Sequence, residues 1–193
     1  MGMRVVAATQ AGWDAVDSVM QADASSRNCQ CQFHILENAD ARRTTRESRR
    51  ELLREQVRTL DPPRGLVAFD GDTAVGWCGV EPRVRVRHVL ASRLVRAHSL
   101  YAADDPGVWA IYCILVPPRR RRGGVGAALL AAALDHAVGH GATAFEAYPI
   151  DTSKRGGELP QGFSTGTVAM FAGHGFAAVA ALPSARTLMH RPA

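Results

Sequence analysis

Residues 108–130 decide the fold, and they read Val108-Trp-Ala-Ile-Tyr-Cys-Ile-Leu-Val116, Pro-Pro-Arg-Arg-Arg-Arg over 117–122, and Gly123-Gly-Val-Gly-Ala-Ala-Leu-Leu130. The first part is apolar throughout, which predicts a central strand covered on both faces. The last part is rich in alanine and predicts a helix over residues 125–138. The first N–H groups of a helix have no intrahelical partners and carry the positive end of its dipole. The basic glycine turn therefore predicts a site for an anion such as a pyrophosphate.

The spacing of this turn excludes two other phosphate-binding loops. A P-loop ends in Gly-Lys followed by Ser or Thr, and the turn has no such ending. A dinucleotide-binding turn has Gly-x-Gly-x-x-Gly directly after its strand. Here Gly124-x-Gly126 is followed by Leu129 in place of the third glycine, and residues 117–122 separate the glycines from the strand.

The pattern Val116-x-Pro118-x-x-Arg121-x-x-Gly124-x-Gly126 resembles the acetyl-CoA signature of the GCN5-related N-acetyltransferase (GNAT) superfamily. Residues 170–176, Met-Phe-Ala-Gly-His-Gly-Phe, look like the family's second conserved block, a short helix ending in Gly-Phe before a strand. The expected strands and helices lie around these blocks in order, so the resemblance spans nearly the whole chain. It implies an α/β protein with the GNAT fold, a mixed central β-sheet of about six to seven strands flanked by helices on both faces.

The periodicity of the remaining sequence predicts the other elements. Strands are expected over residues 5–8, 65–70, 73–80, 144–148, 176–182 and 186–190. Helices are expected over residues 11–20, 44–60, 90–100 and 165–174. Residues 149–162 contain paired glycines and Pro160, which indicates a mobile lid. With no repeat or linker, residues 1–193 are predicted to form a single domain.

Composition narrows the function classes. The chain has 193 residues, a formal net charge of +5 and four cysteines without a framework spacing. No apolar run is long enough to span a bilayer and no signal peptide is evident, so we expect a cytoplasmic protein with no membrane partner. The arginines are spread out and the aromatic residues form no stacking platform, so no nucleic-acid partner is expected. The resemblance implies a monomer or a homodimer.

The resemblance also implies the activity, which is transfer of an acetyl group from acetyl-CoA to the amine of a small molecule or peptide. The amine attacks directly in a ternary complex, without a metal. Backbone groups at the end of the central strand would hold the pantetheine arm and polarise the thioester carbonyl, at Ile114, Leu115 and Val116. The pyrophosphate would rest on the backbone amides of Arg121, Arg122, Gly123, Gly124, Val125, Gly126 and Ala127.

The sequence departs from the family pattern where protons are handled. Phe171 occupies the position of the tyrosine that protonates the leaving thiolate in many members, and the central strand has no carboxylate base. Two substitutes are predicted as catalytic residues: Tyr112 beside the thioester path, and Glu146 as a base on the following strand. The alternatives are a core tyrosine with its hydroxyl satisfied and a solvated glutamate.

Several other residues could have either a functional or a structural role. Tyr148 and Asp151 could orient the acceptor, and His174 is better explained as a helix C-cap. Cys113 fits a small buried residue better than a nucleophile. The Cys-x-Cys-x-x-His stretch beginning at Cys29 offers three zinc ligands but no fourth, which favours a pocket element. The acceptor pocket is expected from residues 25–38, 83–107 and 149–165.

Two hypotheses compete with the acetyltransferase. The first is a catalytically weak acyl-CoA-binding module, suggested by the missing tyrosine and glutamate. The second is a nucleic-acid-binding or regulatory protein, suggested by the basic charge. A binding module would bind acyl-CoA without turning over any amine. A nucleic-acid-binding protein would show salt-sensitive binding of DNA or RNA without CoA dependence.

Overall fold

The computed structural model describes residues 2–160 and 162–193, and within them seven strands form one mixed sheet in the order β1-β2-β3-β4-β5-β7-β6. The strands are β1 (Met3–Ala7), β2 (Leu66–Asp70), β3 (Thr73–Pro82), β4 (Val108–Leu115), β5 (Ala144–Ala147), β6 (Ala177–Leu182) and β7 (Arg186–Pro192). Neighbouring strands are antiparallel except for β4 and β5, which run parallel. A parallel pair needs a crossover, and the helix of residues 125–139 supplies it.

The helices of the described residues precede, connect and follow these strands. They are α1 (Ala8–Ala11), α2 (Trp13–Met20), α3 (Ala24–Cys29), α4 (Asn38–Ala41), α5 (Arg46–Thr59), α6 (Arg87–Ala91), α7 (Arg93–His98), α8 (Val125–Gly139) and α9 (Val168–Ala172). Short 3₁₀ turns occupy Arg83–Arg85, Pro118–Arg120 and Thr152–Arg155. None of the helices in this part of the chain is long and apolar enough to cross a membrane.

The central strand β4 is buried along its whole length because helices cover both faces of the sheet. On one face, Leu129 and Leu130 of α8 pack with Ile111 in one hydrophobic cluster. On the other face, Val16 of α2 and Leu53 of α5 belong to a second cluster. The sequence predictions of a strand covered on both faces and of a mixed sheet are therefore confirmed.

Glycine brings α8 close to the sheet. A Cβ atom at Gly76 of β3 would lie 2.9 Å from Leu129 Cδ1 and 2.9 Å from Val125 Cγ1. Any side chain there would push the helix away, and with it the turn that precedes α8. The packing of β3 against α8 thus fixes where the helix begins.

Two predicted helices differ from the structure for local reasons, and α3 was not predicted. The helix expected over residues 90–100 is two helices, because the Ser92 side chain caps a new helix by accepting a hydrogen bond from the Val95 N–H. The helix expected from residue 165 begins at Val168, after Thr167 caps it. The helix α3, Ala24–Cys29, lies where the sequence predicted no element. Gln161, within the predicted lid of residues 149–162, lies outside the described residues.

Candidate active site

The turn between β4 and α8 ends in a backbone conformation that suits glycine. Gly124, the N-cap of α8, has φ 79° and offers no side chain to the first amides of the helix. The Gly124 carbonyl accepts the hydrogen bond of the Ala128 N–H at 3.0 Å. Within the described residues, the amides that precede Ala128, at Val125, Gly126 and Ala127, have no backbone acceptor. These N–H groups are free to bind a ligand.

A groove of about 650 Å³ lies in front of these amides. Gly126 widens it, because a Cβ atom there would lie 3.4 Å from Met170 Sδ and 3.8 Å from Ile114 Cγ2. Cationic side chains stand at the same end, which adds to the positive end of the helix dipole. The groove is lined by most of the residues predicted to bind the cofactor: Ile114, Val116, Arg121, Arg122, Gly124, Val125, Gly126 and Ala127. Leu115 and Gly123 do not line it.

The arginines of the turn differ in their contacts. Arg121 folds back and donates from Nε to the Val116 carbonyl at 3.0 Å, which closes the turn. Arg120 forms an exposed ion pair with Asp70 at 3.1 Å. Arg122 adopts a left-handed backbone with φ 64°. Arg121 therefore holds the shape of the turn, and Arg120 and Arg122 line the groove beside it.

A β-bulge in β4 decides which side chains face the groove. Gly79 of β3 pairs with Cys113 and the next residue, Val80, pairs with Ile111, so Tyr112 is the extra residue. The bulge shifts the alternation of side chains along the strand. As a result Ile114 packs on the α8 side, in the same cluster as Ile111, whereas Cys113 and Leu115 face the opposite side.

The strands β4 and β5 separate beyond the pair Ile111 and Ala147. Residues 164–167 lie in the gap: the Ile114 N–H donates to the Ser164 carbonyl at 2.6 Å, and Thr167 forms a parallel bridge with Ile150. The resemblance implied that the backbone of Ile114 would be available to the pantetheine arm. In this structure its N–H is already bonded to the chain itself.

A second cavity, of about 400 Å³, lies on the other side of β4. Cys113 and Leu115 contribute its wall from the central strand, and Ser164 lines it as well. Of the segments predicted for the acceptor, residues 25–38 and 149–165 line it, but residues 83–107 do not. Residues of that middle segment, among them His88 and Val95, instead line a neighbouring cavity of about 290 Å³. We call the 400 Å³ space the acceptor cavity.

The cysteines at the wall of the acceptor cavity interact with one another. The Trp77 indole donates to Cys31 Sγ at 3.1 Å. Burial raises the pKa of the Cys31 thiol, but the hydrogen bond from Cys113, the charge of Arg64 and the Trp77 bond outweigh it and lower the pKa. The same hydrogen bond, together with burial, holds the pKa of Cys113 well above its usual range. Cys113 is therefore a buried, protonated thiol, as its interpretation as a small core residue predicts.

Tyr112 is hydrogen-bonded to both members of a buried ion pair and lines neither the groove nor the acceptor cavity. Its hydroxyl donates to Glu81 Oε1 at 2.8 Å and accepts from Arg64 Nε at 3.0 Å, and Arg64 lies 3.2 Å from Glu81. Burial raises the pKa of Tyr112 well above its usual range. This arrangement argues against the predicted catalytic role and fits a core tyrosine whose hydroxyl is satisfied.

Glu146 is 1% exposed and forms an ion pair with Arg83 at 2.9 Å. The hydroxyls of Ser99 and Tyr148 also donate to its carboxylate. On the sheet it pairs with Ala110, before β4 and β5 separate. Its burial argues against the general-base role predicted for Glu146 and equally against a solvated strand residue.

The remaining predicted polar residues have structural partners. Tyr148 donates to Glu146, and the Asp151 side chain accepts from the Ser153 N–H at the start of a 3₁₀ turn. His174 Nδ1 lies 2.9 Å from the Met170 carbonyl at the end of α9, in agreement with a C-cap. Phe171 is fully buried against Phe176, with ring centroids 5.0 Å apart.

Two residues of the acceptor cavity were missed by the sequence analysis as individual candidates, His34 and Arg186. His34 lies within the Cys-x-Cys-x-x-His stretch, and its ring contacts those of Phe33 and Tyr112, with centroids 5.1 and 5.8 Å away. Within the described residues, no group of three or more potential metal ligands is found. Arg186 opens β7, and its position after a turn carries no pattern that distinguishes it from the other arginines.

Burial of His34 predicts a pH-dependent stability. Burial and the nearby charges of Arg186 and His88 lower its pKa from the ordinary 6.5 to about 3. Between these values the unfolded chain binds a proton that the folded protein does not. The contribution of His34 is therefore fully present above pH 6.5 and is lost as the pH falls toward 3. The free energy of unfolding of the wild type, minus that of His34→Gln, is expected to fall by about 2 kcal/mol between pH 7 and pH 5.

Urea titrations of both proteins at the two pH values measure this difference. Other titrating groups affect wild type and variant alike and cancel in the subtraction. An equal difference at pH 7 and pH 5 would show that His34 protonates as easily in the folded protein as in the unfolded chain.

Comparisons with known proteins give a family and a fold. A family model described as "Acetyltransferase (GNAT) family" matches residues 31–155. A search of curated proteins finds no match. Among solved structures, the chain is similar to a GCN5-related N-acetyltransferase from Kribbella flavida, with 21% identity, a TM-score of 0.60, and coverage of 99% of this chain and 98% of that one.

Two further structures were solved with ligands. The PaiA N-acetyltransferase from Thermoplasma acidophilum, in complex with coenzyme A, has 14% identity and a TM-score of 0.58, with 100% of both chains covered. YncA, a putative acetyltransferase from Salmonella typhimurium with its cofactor acetyl-CoA, has 13% identity and a TM-score of 0.59, with 100% of this chain and 94% of that one covered. At these identities the structures support the fold.

Proposed function

The chain belongs to the GNAT acetyltransferase family, and from this premise we propose that it transfers an acetyl group from acetyl-CoA to the amine of a small molecule or peptide. The observation that carries the proposal is the start of α8, where the amides of Val125, Gly126 and Ala127 face a groove flanked by arginines. A pyrophosphate is the ligand that such a helix start binds best. The structures from Thermoplasma acidophilum and Salmonella typhimurium, which contain CoA and acetyl-CoA, support the same choice.

The reaction joins the two cavities on either side of β4. The pyrophosphate lies at the α8 turn, the pantetheine arm follows the groove past Val116, and the thioester reaches the strand near Ile114. A neutral amine in the acceptor cavity attacks the thioester carbonyl, so a C–N bond forms and the C–S bond breaks. The amine loses a proton and the CoA thiolate gains one. Holding both substrates in one geometry supplies much of the rate.

Proton transfer in this scheme does not need a dedicated side chain. The Tyr112 hydroxyl is hydrogen-bonded within a buried ion pair of two other residues, and Glu146 is itself paired with Arg83. Phe171 has no proton to give. His34 faces the acceptor cavity, but a pKa of about 3 makes its imidazole a weak base. We therefore propose that water accepts the proton of the amine and that the intrinsic pKa of the acceptor sets the rate at a given pH.

Calorimetric titration with acetyl-CoA, and with CoA for comparison, tests the cofactor half of the proposal. We expect a dissociation constant in the micromolar range, as is usual for enzyme substrates. A panel of amines, assayed for release of free thiol, tests the transfer. Absence of acetyl-CoA binding would contradict the proposal, and binding without turnover of any amine would favour a catalytically weak acyl-CoA-binding module.

A further inference from the structure

Arg186 lies where three cavities meet, and the proposed reaction gives it no role. It is the first residue of β7 and lines the acceptor cavity, together with Cys113 and Leu115 of the central strand. It also lines two smaller neighbouring cavities, of about 290 and 210 Å³. Its guanidinium is thus placed among the spaces where an acceptor would enter and bind.

The Arg186 guanidinium has no hydrogen bond or ion pair with any other residue that the structure describes. It is half-buried, and burial alone lowers its pKa. The more deeply buried arginines are paired, Arg64 with Glu81 and Arg83 with Glu146. Fully buried cations are normally paired in this way, whereas the half-buried guanidinium of Arg186 remains open to the cavities it lines. No described residue provides an anionic partner for Arg186, so a ligand can take that position.

The backbone around Arg186 is firmly held. Its N–H donates to the Pro183 carbonyl at 3.3 Å, and the preceding Ala185 carbonyl accepts from the Asp151 N–H at 2.7 Å. Ser184 and Ala185 have φ values of 59° and 55°, in the left-handed region that non-glycine residues avoid. A two-residue hairpin turn such as the one joining β6 and β7 requires such values at both of its central residues. The turn therefore fixes the position of the Arg186 backbone at the edge of the acceptor cavity.

We propose that Arg186 binds a carboxylate of the acceptor, so that the substrate class is small amines that also carry a carboxylate, as amino acids do. This inference rests on the proposed acetyl transfer. A planar guanidinium matches a carboxylate with two parallel N–H···O bonds. The same cavity also holds Asp23 and Arg49, whose charges offset each other, and its volume of about 400 Å³ suits a small molecule.

Matched acceptors test the proposal. The twenty common amino acids and their C-terminal amides are assayed for acetylation by wild type, Arg186→Gln and Arg186→Lys at saturating acetyl-CoA. For the accepted side chain, the ratio of kcat/KM for the acid over the amide is expected to fall roughly 10- to 100-fold in Arg186→Gln, the usual effect of losing a charged hydrogen bond. Comparing ratios between enzymes cancels the different amine pKa values of acid and amide.

Arg191→Gln serves as the matched control. Arg191 is a half-buried arginine on the same strand, but its guanidinium lies over the Phe145 ring, away from the acceptor cavity. We expect this variant to keep the wild-type ratio. Arg186→Lys should recover only part of the ratio, because an ammonium cannot make the two parallel bonds. Calorimetry should give all three variants the wild-type affinity for acetyl-CoA.

The outcomes separate this proposal from the one on which it rests. If acetyl-CoA does not bind, the proposed function fails. If acetyl-CoA binds and the amides are acetylated as well as the acids, or Arg186→Gln keeps the wild-type ratio, the role of Arg186 is overturned while acetyl transfer stands. If acetyl-CoA binds but none of the acids is acetylated, the proposed acceptor class is wrong.

Discussion

Gly124→Val is expected to lower the affinity for acetyl-CoA at least ~100-fold, or about 2.7 kcal/mol, while the protein still folds. A Cβ atom at Gly124 would meet no other atom of the described protein within 4 Å, so the side chain enters open space. Gly124 lines the groove in front of the α8 amides. The branched side chain would occupy the position that a pyrophosphate needs. The backbone also strains, because φ 79° is unfavourable for a β-branched residue.

Gly141→Val is the control that separates backbone strain from obstruction of the pyrophosphate position. Gly141, just past the other end of α8, has φ 86°, and a Cβ atom there would likewise meet no described atom within 4 Å, so the backbone strain is matched. Each variant should lose about 1–2 kcal/mol of stability. Only Gly124→Val should lose acetyl-CoA binding in calorimetry. Equal affinities for the two variants would show that the α8 turn does not hold the cofactor.

Glu146→Gln is expected to destabilise the protein by about 3–5 kcal/mol and to leave acetyl-CoA affinity unchanged. The reason is Arg83, whose buried guanidinium would lose its only charged partner among the described residues. Its Nε already has no hydrogen-bond partner. A neutral amide can accept one bond but cannot offset the charge. Urea unfolding measures the loss, and calorimetry measures the affinity.

Two comparisons make this prediction specific. Glu55→Gln removes a carboxylate from an exposed pair with Arg58 and should cost less than about 1 kcal/mol. The double variant Arg83→Met, Glu146→Leu should be more stable than Glu146→Gln, because it removes the unpaired charge as well. A Glu146→Gln protein with normal stability and a large loss of kcat would instead restore Glu146 as the general base.

The sequence was sufficient for features that depend on local backbone and periodicity. The strand over residues 108–116, the glycine turn and α8 follow from apolar runs, glycine and helix-end chemistry, each within a few residues. The hairpin of β2 and β3 is a local feature of the same kind. The family resemblance supplied the mixed central sheet with helices on both faces.

The sequence was insufficient where partners lie far apart along the chain. Glu146 meets Arg83, and Tyr112 meets Arg64 and Glu81, only after helices close over both faces of the sheet. A glutamate on a strand is the same sequence signal whether it is buried in an ion pair or exposed as a base. Arg186 shows the converse, since its significance lies in the absence of a described partner.

The bond between the Ile114 N–H and the Ser164 carbonyl gives cofactor binding a competitor within the same molecule. Any ligand that pairs with this amide must first displace residues 164–167, so the measured affinity is the intrinsic affinity reduced by the fraction of molecules with the strand edge open. Substitutions at Ser164 or Thr165, which do not line the groove, can then change the affinity for acetyl-CoA without contacting it. The stronger the bond between the Ile114 N–H and the Ser164 carbonyl, the higher the acetyl-CoA concentration at which half of the protein is bound.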